Sequence, residues 1–378
     1  MSRGLALPVD QSGLPAATAK RSPCVIFDSH HPKHYLSVRA LARRCRSAGV
    51  DVVWTTRRKD VLVDLIRQDG DEPLVLTAAQ SGTLRKLGEL AAYDWKLARL
   101  AMRARPLALV GKTVSLTHVG RLLGIPSILI NDDSAAGNPQ FKYLAYPFAT
   151  RILTSDCLGE SYGPRQRTYP GLMELAYLHP QAFTPDPGVR RELGVAPDER
   201  LFVIRLVAHD AYHDVGTAGL SPELVARLVD RLRQEGRVFF VSETPLPEPL
   251  APLRLPVPAN RLHHVLAACD LVLGDGLSVC VEAALLGRPA IVVGSYVGKI
   301  AYLKMLEERF ALIHGFKPHQ EAAILAAVDE ALRPEALGLW QERRADMLAV
   351  WQDPTDVYWE ELCRLAPTLE TMSAQCES

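Results

Sequence analysis

Residues Leu271–Val293 read LVLGDGLSVCVEAALLGRPAIVV, and a complete strand–turn–helix–strand unit can be laid out on them. Leu271-Val272-Leu273 is a short apolar run that suits a buried strand. Gly274-Asp275-Gly276 follows as a turn whose glycines allow positive φ and close backbone approach to a ligand. Ser278 is the expected N-cap of a helix running through Leu286, and Gly287 with Pro289 stop it. Val279, Ala283 and Leu286 share one face for packing on a sheet, and Ala290–Val293 starts the next strand. Such a unit presents backbone N–H groups at a helix N-terminus, a natural place for a diphosphate. Glu282, one turn into the helix, is placed to accept hydrogen bonds from a ribose. Spacing alone favours the simpler account, an ordinary βαβ unit with a solvated glutamate.

Outward from that unit, 378 residues exceed one typical domain and imply two. Lys+Arg and Asp+Glu are both 43, so no global field favours nucleic acid and no such partner is expected. The seven cysteines are scattered without CxxC spacing, which argues against a disulfide framework or zinc knuckle and for a reducing, cytoplasmic compartment. No apolar run reaches membrane-spanning length. Residues 1–22 lack a continuous apolar core and read as a disordered leader.

Along the chain, strands and helices alternate, as in parallel sheets covered on both faces. Strands are expected at Cys24–Phe27, Val50–Trp54, Leu74–Leu76, Leu107–Val110 and Ser127–Ile130, with helices at Tyr93–Arg103 and His118–Leu123 among them. Three polar clusters sit at strand carboxyl ends, where such sheets gather ligands: Asp28–His34, Gly111–Thr113 and Asn131–Ser134. Tyr169–Pro187, rich in proline and aromatics, holds the interdomain connection. A second alternation starts at Leu201–Arg205. Trp340–Trp351 and Val357–Leu365 read as a terminal helix pair kinked at Pro354.

The pattern Gly-Asp-Gly, a short gap, then Glu-Ala-Ala-Leu-Leu-Gly-Arg-Pro-Ala resembles the nucleotide-sugar site of GT-B fold proteins, which include MurG-type glycosyltransferases and UDP-N-acetylglucosamine 2-epimerases. The chain is similar more closely to an uncharacterised prokaryotic family (domain of unknown function, serial three-five-four). Asp28, Pro32 and His34, Gly124-Ile125-Pro126-Ser127 with Asn131-Asp132, Glu174–Leu178, and His213-Asp214 after Arg205 carry that likeness. It implies two Rossmann-like domains, 23–183 and 184–339, facing across a cleft, with helices in 340–370 crossing back to the first. It further implies a glycosyltransferase using a UDP-linked sugar, with no cofactor or metal, in cell-surface polysaccharide or glycan assembly. A sugar-nucleotide 2-epimerase or hydrolase of the same fold, and a non-catalytic sugar-nucleotide-binding protein, stand as alternatives. Retaining GT-B enzymes often carry a glutamate eight positions before the ribose ligand; Gly274 stands there, which favours inversion or a non-transferase activity.

The candidate residues divide between the domains. In the first, His34 is the candidate general base with Asp28 orienting it, against a structural account in which His34 caps a helix and Asp28 anchors the loop. His30 and His31 are read as structural. Lys112 stands where the epimerases carry an acid and suits phosphate or sugar binding, and Asp132 and Asp133 lie near another epimerase acid. In the second, Arg205 suits a phosphate, Ser242 and Glu243 a base or ribose, and Gly274, Gly276 and Ser278 the diphosphate. Asp275 either caps backbone N–H groups or touches sugar hydroxyls. His213 matches an epimerase histidine that faces the diphosphate, and is the rival catalytic histidine. The basic helices carrying Arg39, Arg43, Arg44, Arg46, Lys96, Arg99, Arg103 and Arg105 suit either solvent or peripheral contact with anionic lipid at the inner membrane face, next to a glycan or lipid-linked acceptor.

Overall fold

A computed structural model describes residues 22–58, 61–80, 82–134, 138–207, 219–242 and 245–376, so the expected leader falls almost wholly outside the described residues, as do His213 and Glu243. The chain forms two compact units, Met1–Tyr177 with Asp353–Ser378, and Leu178–Gln352.

The first unit is built on seven strands, β1 (Cys24–Asp28), β2 (Asp51–Arg58), β3 (Leu74–Ala78), β4 (Ala108–Gly111), β5 (Ser127–Asn131), β6 (Arg151–Ser155) and β7 (Gln166–Tyr169). They pair in the order β3-β2-β1-β4-β5-β6-β7, all parallel. Val25, Ile26 and Phe27 on β1 and Leu109 and Val110 on β4 are buried, as strands covered on both faces must be. The order reverses between β1 and β4, the switch point at which open α/β sheets bind ligands. Helices begin earlier than the apolar pattern suggests. The helix expected at His118–Leu123 starts at Val114, because the Thr113 hydroxyl accepts from the Leu116 N–H at 3.3 Å and caps it.

The helix Thr355–Leu365, although late in the chain, belongs to this unit. Arg44 pairs with Asp356 at 2.6 Å and lies 4.7 Å from the Trp359 ring. Glu361, buried, is held by Arg151 at 3.2 Å and Arg167 at 2.8 Å. Removing either arginine would leave a buried carboxylate short of its counter-charge. Its expected partner, the helix Ala336–Leu348, lies instead in the second unit. There the Trp340 indole donates to the Leu312 carbonyl at 2.9 Å. Part of the basic face is also engaged within the first unit: Arg39 is neutralised by Asp69 at 2.9 Å and Arg46 by Asp71, while Lys96 donates to the Leu76 carbonyl at 2.6 Å and keeps its charge. No helix among the described residues is long and apolar enough to cross a membrane.

The second unit carries β8 (Arg200–Leu206), β9 (Gly236–Ser242), β10 (Leu271–Gly274), β11 (Ala290–Val293) and β12 (His314–Phe316), parallel in the order β12-β11-β10-β8-β9. Phe202, Ile204, Phe240, Leu271 and Leu273 form its core with Leu228, Leu232, Ile324 and Val328 from two helices. Its switch point lies between β8 and β10.

Candidate functional site

At the second unit's switch point Gly274 is in register with Arg205. A Cβ on Gly274 would run into the Arg205 carbonyl oxygen, and one on Gly276 into the Arg205 side chain. These two glycines let β8 and the turn close on each other and lay the Arg205 side chain along Gly276. The helix that follows spans Leu277–Leu285, with Gly276 in the cap position and no side chain bonded there. Ser278 is therefore not the cap. It is exposed in the first helical turn, one residue beyond the true start. The first-turn N–H groups are left free of a side-chain cap, which a diphosphate can use.

Asp275 has the first of its two expected roles. Its carboxylate accepts from the Val207 N–H at 2.9 Å and the Leu220 N–H at 3.4 Å, while its own N–H donates to the Arg205 carbonyl at 3.1 Å. Tyr296 donates to the Asp275 carbonyl at 2.8 Å. Glu282 is buried rather than solvated, and its Oε1 lies 3.4 Å from Nε2 of His263. His263 comes from the helix Leu262–Ala268, and its only sequence signal is the His263-His264 doublet before β10. Ser242 ends β9, partly exposed. His213 lies outside the described residues.

At the first unit's switch point the same device recurs: Gly111 is in register with Asp28, and a Cβ there would strike the Asp28 carbonyl oxygen. The Asp28 carboxylate is fully buried and accepts from Thr55 at 2.9 Å, Thr113 at 2.5 Å and the Tyr93 hydroxyl. Burial pushes its pKa up to about 6 against the pull of those hydroxyls. The carboxylate is thus used by hydroxyls, and no hydrogen bond joins it to His34. The imidazole beside it is His30, with Nε2 at 3.8 Å from Oδ1 and its ring 4.7 Å from that of Tyr93. Burial, and then the Arg57 charge, lower His30 to about 3, so it is neutral. Its Nε2 is buried without a hydrogen-bond partner.

His34 was displaced from the expected pairing by Pro32. The proline opens the helix Pro32–Ser47, and His31 takes the cap, its Nδ1 accepting from the Lys33 N–H at 3.2 Å. His34 then falls in the first turn, its Nδ1 buried and unpartnered. Burial and the neighbouring Lys112 charge hold it neutral, well below the usual imidazole range. Around it runs an ion network. Lys33 meets Asp132 at 2.5 Å and Glu174 at 2.7 Å, while Lys112 meets Asp132 and, at 3.0 Å, Asp133. Burial would raise Asp132, but Lys112 and Lys33 outweigh it and keep the carboxyl well below its ordinary value. Glu174 is raised by burial, with Lys33 opposing. Lys33 joins this cluster with no motif to announce it; Glu174 opens the Glu174–Leu178 segment, but nothing in the sequence pairs it with Lys33, 141 positions earlier in numbering (33 to 174). Among the described residues no group of three or more His, Cys, Asp or Glu is arranged for a metal ion.

No known sequence family matches the chain, and no curated protein matches it. Solved structures do. A UDP-N-acetylglucosamine 2-epimerase aligns with TM-score 0.64 at 12% identity over 91% of this chain and 96% of that one. Acinetobacter baumannii MurG aligns at 0.55 and 13% identity, over 90% and 99%. The spinosyn rhamnosyltransferase SpnG, complexed with thymidine diphosphate, aligns at 0.58 and 16% identity, over 90% and 100%. At these identities the likeness establishes the fold, and the fold is GT-B.

Proposed function

We propose that the chain is an inverting glycosyltransferase that takes a sugar from a nucleoside-diphosphate donor to a hydroxyl acceptor in cell-surface polysaccharide or glycan assembly, and that it belongs with the uncharacterised prokaryotic family its motifs are similar to. The observation that carries this reading is the uncapped helix N-terminus behind Gly274–Gly276, with the Arg205 side chain laid along it. Free N–H groups and a guanidinium stabilise the negative charge that a departing diphosphate develops. Glu282, fixed beside His263, is the ribose acceptor group in this reading.

The acceptor hydroxyl needs a base, and that role passes from His34 to His30. An imidazole near 3 is too weak a base by itself. Closing the 3.8 Å gap to Asp28, a carboxylate ionised at neutral pH, raises it toward the useful range. His34, flanked by Lys112 and Lys33, resists protonation and suits substrate contact instead. The hydroxyl proton then moves to His30, the acceptor oxygen bonds the anomeric carbon, and the bond to the diphosphate breaks.

The structural likeness to an epimerase favours a second reading, 2-epimerisation of the sugar nucleotide. It fits less well, because Asp132 is neutralised by two lysines and makes a poor proton abstractor. Product analysis with UDP- and TDP-linked sugars tests the choice. Nucleoside diphosphate released only when an acceptor is present supports transfer; an epimer formed without acceptor overturns it. A protein that binds and turns over nothing is the non-catalytic alternative.

A further inference from the structure

The second unit contains a cavity of about 280 Å³ on the side of the sheet away from the glycine turn, against the amino ends of β10 and β11. Phe183, Leu286 and Leu337 supply apolar wall, and Arg288, Gln341 and Arg344 supply the polar lining. Several arginines elsewhere in this unit meet a carboxylate: Arg200 meets Glu235 at 3.2 Å, Arg231 meets Asp329 at 2.9 Å, and Arg261 meets Asp186 at 2.7 Å. Arg288 and Arg344 have none among the described residues. Arg288 donates to the Cys269 carbonyl at 3.3 Å, and its Nε is buried with no partner. Arg344 donates to the Leu285 carbonyl at 2.8 Å. Asp270 is the acid nearest in effect to Arg288, but its carboxylate already takes the Leu201 N–H at 2.8 Å and faces Arg190 at 3.9 Å.

Capping explains part of this arrangement. Arg344 and Gln341, which donates to the Gly287 carbonyl at 2.7 Å, close the C-terminal end of the helix Leu277–Leu285. Capping uses one donor of a guanidinium that has five. It also does not account for two like charges brought together in a half-buried apolar pocket. Burial lowers both arginines, and the Arg288 charge lowers Arg344 further. Charges so placed are normally matched by an opposite charge.

We propose that this cavity is a second ligand site, taking a small organic anion whose oxyanion head lies between Arg288 and Arg344 and whose apolar body rests on Phe183, Leu286 and Leu337. The volume admits a head group and a ring-sized body, near the lower limit of small-molecule pockets. Guanidiniums suit both phosphate and carboxylate, so the head group is decided by experiment.

Calorimetry with phenyl phosphate, phenylacetate and neutral benzyl alcohol tests the proposal. One or both anions should bind the wild-type protein, and benzyl alcohol should not. Arg288→Gln and Arg344→Gln should each weaken the bound anion by about 10- to 100-fold, the loss of a charged hydrogen bond, with UDP or TDP affinity unchanged. Leu337→Trp leaves both arginines in place and fills the cavity, so it should abolish anion binding while circular dichroism stays native. The proposal is overturned if neither anion binds at millimolar concentration, or if the anion binds Leu337→Trp and the arginine variants as it binds the wild type.

Discussion

The two switch points are built by one device and furnished for different chemistry. In each, a glycine presses onto the carbonyl of the residue beside it on the neighbouring strand: Gly111 on Asp28, and Gly274 on Arg205. The helix that follows differs. In the first unit Thr113 caps it and also donates to Asp28, so the helix start is closed and the carboxylate is fixed. In the second no side chain caps it, and the residue facing the glycine is a cation rather than an acid. In the proposed reading, the same backbone close approach serves an acid–base centre in one unit and an anion receptor in the other. What separates them is a cap and the sign of one charge.

The largest effect that would sharpen this contrast is on turnover. His30→Ala should lower it by about 10²–10⁴-fold with donor affinity unchanged, while His34→Ala should fall short of that. Steady-state kinetics with a competent acceptor checks both, and equal losses would erase the distinction between the two histidines.

Next comes pH. Asp28 is raised from 3.8 to about 6 in the folded state, so between those values the folded chain holds a proton that the unfolded chain releases. Its contribution therefore favours folding below 3.8 and is lost as pH rises through about 6, a swing of roughly 3 kcal/mol. His30 acts oppositely: lowered from 6.5 to about 3, it costs stability as pH falls, because the unfolded chain takes up the proton first. Denaturant titrations of wild type and Asp28→Asn at several pH values isolate the first effect. Wild type should gain on the variant as pH falls from 6 toward 4.

The glycines should separate fold from function by a smaller margin. Gly274→Ala drives a methyl into the Arg205 backbone and should cost about 1–3 kcal/mol or more. Gly276→Ala puts its methyl against Cγ of Arg205, near the root of that side chain and not against backbone, so the side chain must shift: stability should fall by less than for Gly274→Ala while donor affinity falls. Chemical denaturation alongside calorimetry distinguishes them. The smallest effect is expected at the exposed Arg44–Asp356 pair, where Asp356→Ala should cost about 0–1 kcal/mol in the same assay.

Much of this architecture is legible in the sequence because buried parallel strands leave continuous apolar runs, and Gly274-Asp275-Gly276 punctuates the strand–helix junction. Local competition at helix starts is not legible. Gly276 takes the cap that Ser278 is positioned to take, and His31 takes the one that frees His34. Contacts between distant segments leave no spacing signal either. Asp28 finds Tyr93 and Thr113, Glu282 finds His263, and Lys33 finds Glu174 only once the sheet order is set. The helix Ala336–Leu348 looks like half of a terminal pair, yet the Trp340 indole and Arg344 bind carbonyls of the second unit.

The central claim, that the open helix start in the second unit receives a nucleoside diphosphate, is tested most directly by titrating UDP and TDP into wild type and Glu282→Ala in a calorimeter. The account predicts saturable binding of at least one nucleotide by the wild type. It further predicts a loss of about 1–3 kcal/mol in the variant with its circular dichroism unchanged. Binding of equal strength by both proteins, or no binding by the wild type, would contradict it.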